Sequence, residues 1–203
     1  MKRCFVFGAL EMKELVQKPT ENDFVIAADK GVLTADKFGI SLNLTVGDFD
    51  SLGFVPKGEN VVKLNVRKDD TDIGYAVKTA FDNGYNDFVI YGGIGGMLSH
   101  TLANLQIAKD LAQKGAKVVL YGNSEKITIV KNSSVSFEKE KTGRVSIFSL
   151  SDKSNGVDIQ NLSYGVSNAT LTNNVPIGVS NEFVGKEATV SVKNGILMVI
   201  EEK

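Results

Sequence analysis

The chain has 203 residues, and its 23 Lys and Arg residues against 24 Asp and Glu residues give a formal net charge of −1. This length allows one large domain or two small ones, each with a packed core. The near-zero charge, with no long basic block, argues against a dedicated nucleic-acid-binding protein. A single cysteine, Cys4, excludes an intrachain disulfide, and with one histidine, His100, a structural zinc site is not expected.

The N-terminus superficially resembles a secretory signal, because Lys2 and Arg3 precede the apolar run from Cys4 to Leu10. The run stops at Glu11 and no small-residue cleavage site follows, so a buried first strand explains it better. No stretch approaches the roughly 20 apolar residues that span a bilayer. We therefore expect a reduced, cytoplasmic protein with neither a membrane nor a nucleic acid as partner.

Residues 1–122 alternate short apolar runs with longer segments of helical period, which is typical of βα units around a mostly parallel sheet. Thr71–Asn83 and Ser99–Lys114 have the helical period, and Gly84 and Gly115 follow them where helix C-caps belong. The predicted strands are Cys4–Phe7, Phe24–Ala27, Leu42–Val46, Val61–Leu64, Phe88–Tyr91 and Val118–Tyr121. The apolar face predicted for the second helix consists of Leu102, Leu105, Ala108 and Leu111.

From about Glu125 the pattern changes to period-two alternation between turn residues, which is typical of short antiparallel strands. Ser149–Asn155 is predicted as a loop, and Lys193–Gly195 as the turn of a hairpin that joins the last two strands. We thus predict two domains, a mostly parallel α/β domain at residues 1–122 and an all-β sandwich at residues 123–203.

Four chemically distinctive segments follow predicted strands, at the edge of an open α/β sheet where ligands bind. In the second of them, Asp48 and Asp50 are alternate residues whose carboxylates can face one cation such as Mg²⁺. A turn closed by Asx hydrogen bonds explains the same pair equally well. The four segments are Ala28–Gly31, Gly47–Ser51, Arg67–Asp72 and Gly92–His100.

The third segment places three carboxylates within four residues, beside the basic Arg67 and Lys68. Either Asp70 or Thr71 can cap the following helix, but capping explains only one of these residues. Such a mixture suits a metal-bound polyphosphate, because carboxylates hold the cation while Lys and Arg contact phosphate oxygens.

The fourth segment has four glycines within Gly92–Gly96 and leads into a predicted helix, so backbone and helix N-terminus can both approach an anion. Glycine-rich turns between strand and helix also occur for packing reasons alone. Neither the P-loop pattern nor the dinucleotide-binding glycine fingerprint is present.

Three motifs, in this order, resemble those of the thiamine pyrophosphokinase family. They are Gly-Asp-Phe-Asp-Ser at residues 47–51, Lys-Asp-x-Thr-Asp at residues 68–72, and Gly-x-x-Gly-Gly-x-Leu-x-His-x-Leu-x-Asn at residues 92–104. In the C-terminal half, Leu162-x-Tyr164 and the Ser180-Asn181 segment are similar to the family's β domain. The resemblance therefore covers nearly the whole chain.

The resemblance implies a homodimer that transfers the pyrophosphoryl group of ATP to the hydroxyl of thiamine, with active sites between subunits. It implies Mg²⁺ at Asp48, Asp50, Asp69 and Asp72, and ATP near Asp29, Lys68, Gly95, Gly96, Ser99, His100 and Asn104. It implies thiamine contacts at Ser180 and Asn181, with Tyr164 and Phe183 as candidates for stacking on the cationic ring. We hypothesise that Asp72 or Asp50 accepts the proton of the attacking hydroxyl.

This sequence departs from the family pattern at two positions, where Met97 stands in place of an Arg and Ser99 in place of an Asp. A phosphate contact and a possible cation ligand are thereby missing. Two alternatives follow: a weakened homologue that binds thiamine or nucleotide without efficient turnover, or a transferase that acts on another hydroxylated acceptor.

Overall fold

A computed structural model describes residues 1–56, 58, 60–65 and 70–202. The chain divides into two compact units, the first made of Met1–Ile107 with Val118–Asn123 and the second of Ala108–Lys117 with Ser124–Lys203. The domain boundary expected between residues 122 and 123 stays a prediction.

The first unit is built on a mostly parallel sheet with the strand order β6-β5-β1-β2-β3-β4. Each of the predicted runs is confirmed as a strand. Strand β1 pairs in parallel with β2 and β5, and β3 pairs in parallel with β2 and β4. The sequence did not predict helix α1, because its seven residues are too few to show a helical period. The elements are β1 (Arg3–Phe7), β2 (Phe24–Ala28), α1 (Gly31–Lys37), β3 (Leu44–Gly47), β4 (Val61–Lys63), α2 (Asp72–Asp82), β5 (Asp87–Tyr91), α3 (Leu98–Gln113) and β6 (Lys117–Tyr121).

The central strands are buried along almost their whole length, as expected when both faces of a parallel sheet are covered. In this core the Tyr91 ring stacks between Phe7 and Tyr121, with centroid separations of 5.7 and 4.8 Å. Its hydroxyl accepts the Gln17 N–H and donates to the Gln17 carbonyl, each at 3.0 Å. Burial raises the pKa of the phenol to about 12, so Tyr91 stays a neutral anchor for the loop between β1 and β2.

Capping chemistry fixes the two longer helices. Thr71 is the N-cap of α2, and its hydroxyl accepts the Gly74 N–H at 3.0 Å. Gly84 and Gly115 have φ of +83° and +93°, the left-handed conformation that terminates a helix, which confirms both predicted caps. The predicted apolar face of α3 is wrong at Leu102, which is 53% exposed, because the inward position in this part of the helix belongs to the polar, buried Asn104. None of the helices in the described ranges has the length and apolar character needed to cross a bilayer.

The second unit contains two antiparallel sheets, with strand orders β12-β9-β14-β7 and β11-β10-β13-β8. The loop predicted at Ser149–Asn155 is wrong in its second half, because β10 begins at Lys153 and pairs with β11 from that residue onward. The strands are β7 (Glu125–Lys131), β8 (Ser134–Phe137), β9 (Arg144–Ser149), β10 (Lys153–Gln160), β11 (Val166–Thr172), β12 (Asn181–Glu182), β13 (Ala188–Asn194) and β14 (Ile196–Glu202).

The predicted hairpin of the last two strands is also wrong. Strand β13 pairs with β10 and β8, whereas β14 pairs with β7 and β9, so the chain changes sheets at Gly195. Gly195 has a φ of +138°, and a Cβ there would lie 2.6 Å from the Ser154 hydroxyl oxygen. Glycine is therefore required by the change of sheet rather than by a two-strand turn.

One hydrophobic cluster joins the two sheets of this unit. Its members come from β7, β9 and β14 on one side and from β8, β10, β11 and β13 on the other. The fully buried members are Val145, Ile147, Val157, Ala188, Val190, Leu197 and Val199.

Where β1 and β2 begin, Arg3 and Asp23 form a two-pronged ion pair in the first unit. The Arg3 Nε and Nη2 atoms donate to the two carboxylate oxygens of Asp23 at 2.9 and 2.8 Å. The Asp23 side chain is only 6% exposed. Hydrogen bonding to Arg3 lowers the pKa of the Asp23 carboxyl from 3.8 to about 2.

We predict that Asp23 makes folding pH-dependent between pH 6 and pH 3. The carboxylate is favoured in the folded state, so its stabilisation is present above pH 4 and is lost as the pH falls toward 2. The unmodified chain should lose about 1 kcal/mol more unfolding free energy than Asp23→Asn over this interval, measured by urea denaturation. Equal losses in the two proteins would contradict the prediction.

Candidate functional site

The carboxyl edge of the parallel sheet has a topological switch point beside β1. The chain adds β2, β3 and β4 on one side of β1 and then returns to add β5 and β6 on the other. Helices leave in opposite directions at such a point, which opens a crevice where ligands of open α/β sheets bind.

Glycines bring the ends of β1 and β5 into close contact at this point. The Gly8 N–H donates to the Tyr91 carbonyl at 2.7 Å, and the Leu10 N–H to the Gly92 carbonyl at 3.1 Å. A Cβ on Gly8 would lie 2.8 Å from the Gly92 oxygen, and one on Gly92 would lie 2.2 Å from the Leu10 oxygen. Any side chain at either position would thus push the two strand ends apart.

Asp29 follows the end of β2 in a constrained backbone conformation. Its φ is +49°, an uncommon value for a residue other than glycine, and its N–H donates to the Val46 carbonyl at 2.8 Å. Gly31 then passes so close to β1 that a Cβ there would lie 1.9 Å from the Phe7 oxygen. The strand ends on both sides hold Asp29 in place.

The Asp29 carboxylate has one satisfied and one unsatisfied oxygen. The Ser51 hydroxyl donates to Oδ2 at 2.5 Å. Oδ1 is buried and has no hydrogen-bond partner among the described residues. A buried carboxylate oxygen is costly without a donor or a cation, so this atom marks a place where a ligand fits.

Asp48 and Asp50 follow β3, which ends at Gly47, so the premise that they alternate along a strand is wrong. They lie in a turn around Phe49, which is 3% exposed and has a φ of +61°. The Asp50 N–H donates to Asp48 Oδ1 at 3.2 Å, the Asx hydrogen bond that was the alternative explanation. Asp48 is half-buried and Asp50 is exposed, so both retain oxygens for further contacts.

The next segment is described only in part, because Arg67, Lys68 and Asp69 lie outside the described residues. Asp70 is exposed, and its Oδ1 accepts the Thr71 N–H at 2.9 Å. Asp72 opens α2 and is half-buried. The structure therefore places one candidate carboxylate of this segment, Asp72, at the start of a helix.

The glycine turn after β5 leads directly into α3. Gly95, Gly96, Ser99 and His100 are all exposed around the start of this helix. Asn104 is 4% exposed, and its Nδ2 donates to the Gly93 carbonyl at 2.6 Å. Asn104 therefore stabilises the glycine turn from below, while the other four residues are accessible to an anion.

The donors that this edge offers to a metal ion are carboxylate oxygens. In residues 1–56, 58, 60–65 and 70–202, no three or more His, Cys, Asp or Glu side chains form a group that could hold an ion. Mg²⁺ commonly uses only one or two carboxylates and completes its shell with water and phosphate oxygens. The unsatisfied Asp29 Oδ1 and the carboxylates of Asp48 and Asp50 are hard oxygen donors, so the residues present fit such a cation.

In the second unit, Asn181 is held by Tyr164. Asn181 is 4% exposed; its Oδ1 accepts the Tyr164 N–H at 2.9 Å, and its Nδ2 donates to the Tyr164 carbonyl at 2.7 Å. Oδ1 also accepts the Glu182 N–H at 2.9 Å, which uses both of its lone pairs. The Tyr164 side chain is 74% exposed, whereas Phe183 packs edge-on against Phe137 with centroids 5.1 Å apart.

Ser180 precedes Asn181 with a left-handed φ of +58° and is exposed. Its N–H donates at 3.1 Å to the hydroxyl of Ser146, a buried residue of β9. Ser180, Asn181 and Tyr164 thus form a small surface whose backbone is fixed from beneath.

The structure places the described candidates of the first unit after strands of the parallel sheet, and Ser180 and Asn181 belong to the second unit. Sequence reasoning missed Ser51, the partner of Asp29, and Ser146, the partner of Ser180. Ser51 ends the Gly-Asp-Phe-Asp-Ser motif, so its position was a usable signal. Ser146 has no signal in the sequence because it lies 34 residues from its partner.

An open parallel sheet with glycines and carboxylates at its switch point defines the class of α/β proteins whose ligand sites lie at the carboxyl edge of the sheet. Two family models narrow this class. The thiamin pyrophosphokinase catalytic domain matches residues 16–120, and the thiamin pyrophosphokinase vitamin B1 binding domain matches residues 127–197. The chain belongs to the thiamin pyrophosphokinase family. Like the other members of that family, it is a transferase of the kinase class.

Individual relatives agree with this assignment. The chain is 26% identical over 187 residues to the thiamine pyrophosphokinase of Bacillus subtilis, covering 89% of this chain and 87% of that protein. The crystal structure of a thiamine pyrophosphokinase from B. subtilis matches with a TM-score of 0.86 at 23% identity, over 100% and 99% of the two chains. A thiamin pyrophosphokinase family protein from Enterococcus faecalis has a TM-score of 0.77 at 24% identity, with coverage of 100% and 99%. At these identities the crystal structures support the fold.

We predict that Gly31→Ala severely destabilises the first unit. The added methyl group would collide with the Phe7 carbonyl, which cannot move without breaking the sheet edge, and the unfolding free energy should fall by about 3 kcal/mol. Gly96→Ala is the matched control, because a Cβ there has no atom within 4 Å. Urea denaturation of both variants measures the difference, and equal stabilities would refute the close approach.

Proposed function

We propose that the chain is an ATP-dependent diphosphotransferase, a thiamine pyrophosphokinase that converts ATP and thiamine to AMP and thiamine diphosphate. The observation that carries the proposal is the switch-point edge, where an accessible glycine turn lies at the same edge as Asp29, Asp48 and Asp50. Both family models support it. No observation favours the weakened homologue that Met97 and Ser99 suggested.

In the proposed reaction, the hydroxyl oxygen of thiamine attacks the β-phosphorus of ATP. A new oxygen–phosphorus bond forms, and the bond breaks between the β-phosphorus and the oxygen that bridges it to the α-phosphorus. AMP leaves with that oxygen. The proton of the hydroxyl passes to a carboxylate, for which Asp72 and Asp50 are the candidates. Such a transfer depends mainly on positioning and on neutralising charge.

Asp48, Asp50, Asp69 and Asp72 would hold Mg²⁺. When bound, the cation neutralises the charge of the polyphosphate, so that an acidic edge can accept an anionic substrate. The Asx turn supports the ligand role of Asp50, because it fixes the backbone between the first two carboxylates.

The nucleotide would be bound by the glycine turn and the start of α3. Gly95 and Gly96 have no side chain to obstruct a phosphate, and Ser99 and His100 are exposed beside them. The N-terminus of a 16-residue helix favours an anion at this end. Asn104 then contributes by holding Gly93, and Lys68 is proposed as a further phosphate contact.

Thiamine would contact the second unit at Ser180 and Asn181. Because both lone pairs of Asn181 Oδ1 are used within the protein, the amide can offer a ligand only its remaining N–H. Tyr164 is the better of the two stacking candidates, since its ring is exposed while Phe183 is packed against Phe137. An exposed tyrosine ring attracts a cationic heteroaromatic ring.

We further propose a cytoplasmic homodimer with active sites between its subunits, an α/β domain at residues 1–122 and a β-sandwich at residues 123–203. The hydrophobic cluster shared by the two sheets of the second unit supports the sandwich. Support for the dimer comes from residues 164–184, where large apolar side chains are exposed, as is typical of interaction surfaces. They are Tyr164, Val166, Val175, Ile177, Val179 and Val184.

Incubation with ATP, Mg²⁺ and thiamine should yield AMP and thiamine diphosphate in equal amounts, measured by chromatography. If Asp72 accepts the proton, Asp72→Asn should lower kcat by about 100-fold or more. Asp82→Asn is the matched control, because Asp82 lies at the exposed far end of the same helix, paired with Lys78.

Full turnover of Asp72→Asn with Mg²⁺ would exclude Asp72 as the base. Thiamine binding without product in the unmodified chain would favour the weakened homologue over the active transferase. In that case, restoration of activity by Met97→Arg with Ser99→Asp would identify those two positions as the cause.

Tyr164→Ala should raise the KM for thiamine about tenfold, the equivalent of about 1.4 kcal/mol, with the KM for ATP unchanged. Tyr164→Phe keeps the ring and should behave like the unmodified chain. Thermal unfolding should be similar in both variants because the side chain is exposed. An unchanged KM for thiamine in Tyr164→Ala would remove Tyr164 from the thiamine site.

A further inference from the structure

Ser51 and Asp29 are joined by a hydrogen bond between two loops. Ser51 is exposed and lies in the turn after β3, while Asp29 follows β2. Their contact, from Ser51 Oγ to Asp29 Oδ2, spans 22 residues of the chain. The bond joins two loops that follow neighbouring strands, and it fixes one oxygen of a candidate site carboxylate.

The backbone of Asp29 is already fixed without this bond. Its φ of +49°, its N–H donation to Val46 and the 3.1 Å between its Cα and a Cβ built on Gly47 leave little freedom at the main chain. The remaining freedom is rotation of the carboxylate, and the Ser51 hydroxyl restricts it. The oxygen left over, Oδ1, is buried and has no partner among the described residues.

We propose that Ser51 is a positioning residue that holds the Asp29 carboxylate so that Oδ1 receives the electropositive part of the bound Mg²⁺–nucleotide. The inference rests on the proposed function. In it, Ser51 does not contact the ligand and affects binding only by orienting Asp29. Loss of the hydroxyl frees the carboxylate to rotate, and the oriented oxygen is then no longer offered to the ligand.

The test is a double-mutant cycle on nucleotide binding, which requires no turnover. The probe is Mg²⁺ with α,β-methylene-ATP, in which carbon replaces the bridging oxygen that the proposed reaction would cleave. Binding is measured by titration calorimetry for the unmodified chain, Ser51→Ala, Asp29→Asn and the double variant. Asparagine tolerates the left-handed backbone at position 29, so that variant keeps the local fold.

Ser51→Ala should weaken binding about tenfold, as expected when a hydrogen bond to a charged group is lost. In the Asp29→Asn background the same change should have no further effect, because contacting residues that act as one unit are non-additive. Ser51→Thr keeps the hydroxyl and should restore binding. Ser41→Ala, an exposed serine before β3, is the matched control and should bind like the unmodified chain.

Additive effects of the two substitutions, or unchanged binding in Ser51→Ala, would overturn the proposal. A parallel titration with thiamine should show no coupling, and coupling with thiamine alone would also overturn it. Nucleotide binding without turnover in the unmodified chain would contradict the proposed function. The double-mutant cycle on nucleotide binding would still test the role of Ser51 in that case.

Discussion

The close approach of backbone at the carboxyl ends of β1, β2 and β5 is the constraint on which the rest of the first unit depends. Gly8, Gly31 and Gly92 each occupy a position where a Cβ would collide with a carbonyl oxygen of a neighbouring segment. Main chain therefore lies against main chain, and the loops that leave these strands carry the polar side chains. The carboxyl edge of the parallel sheet is rigid because the contacts between these strand ends are made by backbone atoms and not by side chains that could rearrange.

In both units, hydrogen bonds to neighbouring residues orient the polar groups of the candidate site residues. Ser51 orients Asp29, Asn104 holds the glycine turn, and in the second unit Ser146 and Tyr164 fix Ser180 and Asn181. Only the first of these contacts joins two side chains, and each of the others joins a side chain to the backbone of its partner. This arrangement orients polar groups before a ligand arrives, which lowers the ordering cost of binding.

The sequence predicted the strands of the parallel sheet and the cap glycines, because buried central strands are continuously apolar and helix ends need left-handed residues. It failed at Gly195, since a turn motif between alternating strands looks the same whether the strands pair or enter different sheets. Among the candidate site residues, the sequence offered the Asx hydrogen bond between Asp48 and Asp50 but did not indicate that Ser51 is the partner of Asp29. Asn181 illustrates the limit: its type and place were visible in the sequence, but the engagement of its amide by Tyr164 depends on the path of a loop 17 residues away.

The change of sheet at Gly195 also determines when the second unit can form during synthesis. Strand β14 lies between β7 and β9, so the sheet that contains these two strands is interrupted until β14 is present. The other sheet consists of β8, β10, β11 and β13, all of which are made earlier, yet its apolar face lacks the part of its cover that β14 supplies, Leu197 and Val199. The β-rich half of this protein therefore reaches its native state only after β14 has been synthesised, and a chain truncated before Ile196 has an exposed, incomplete core.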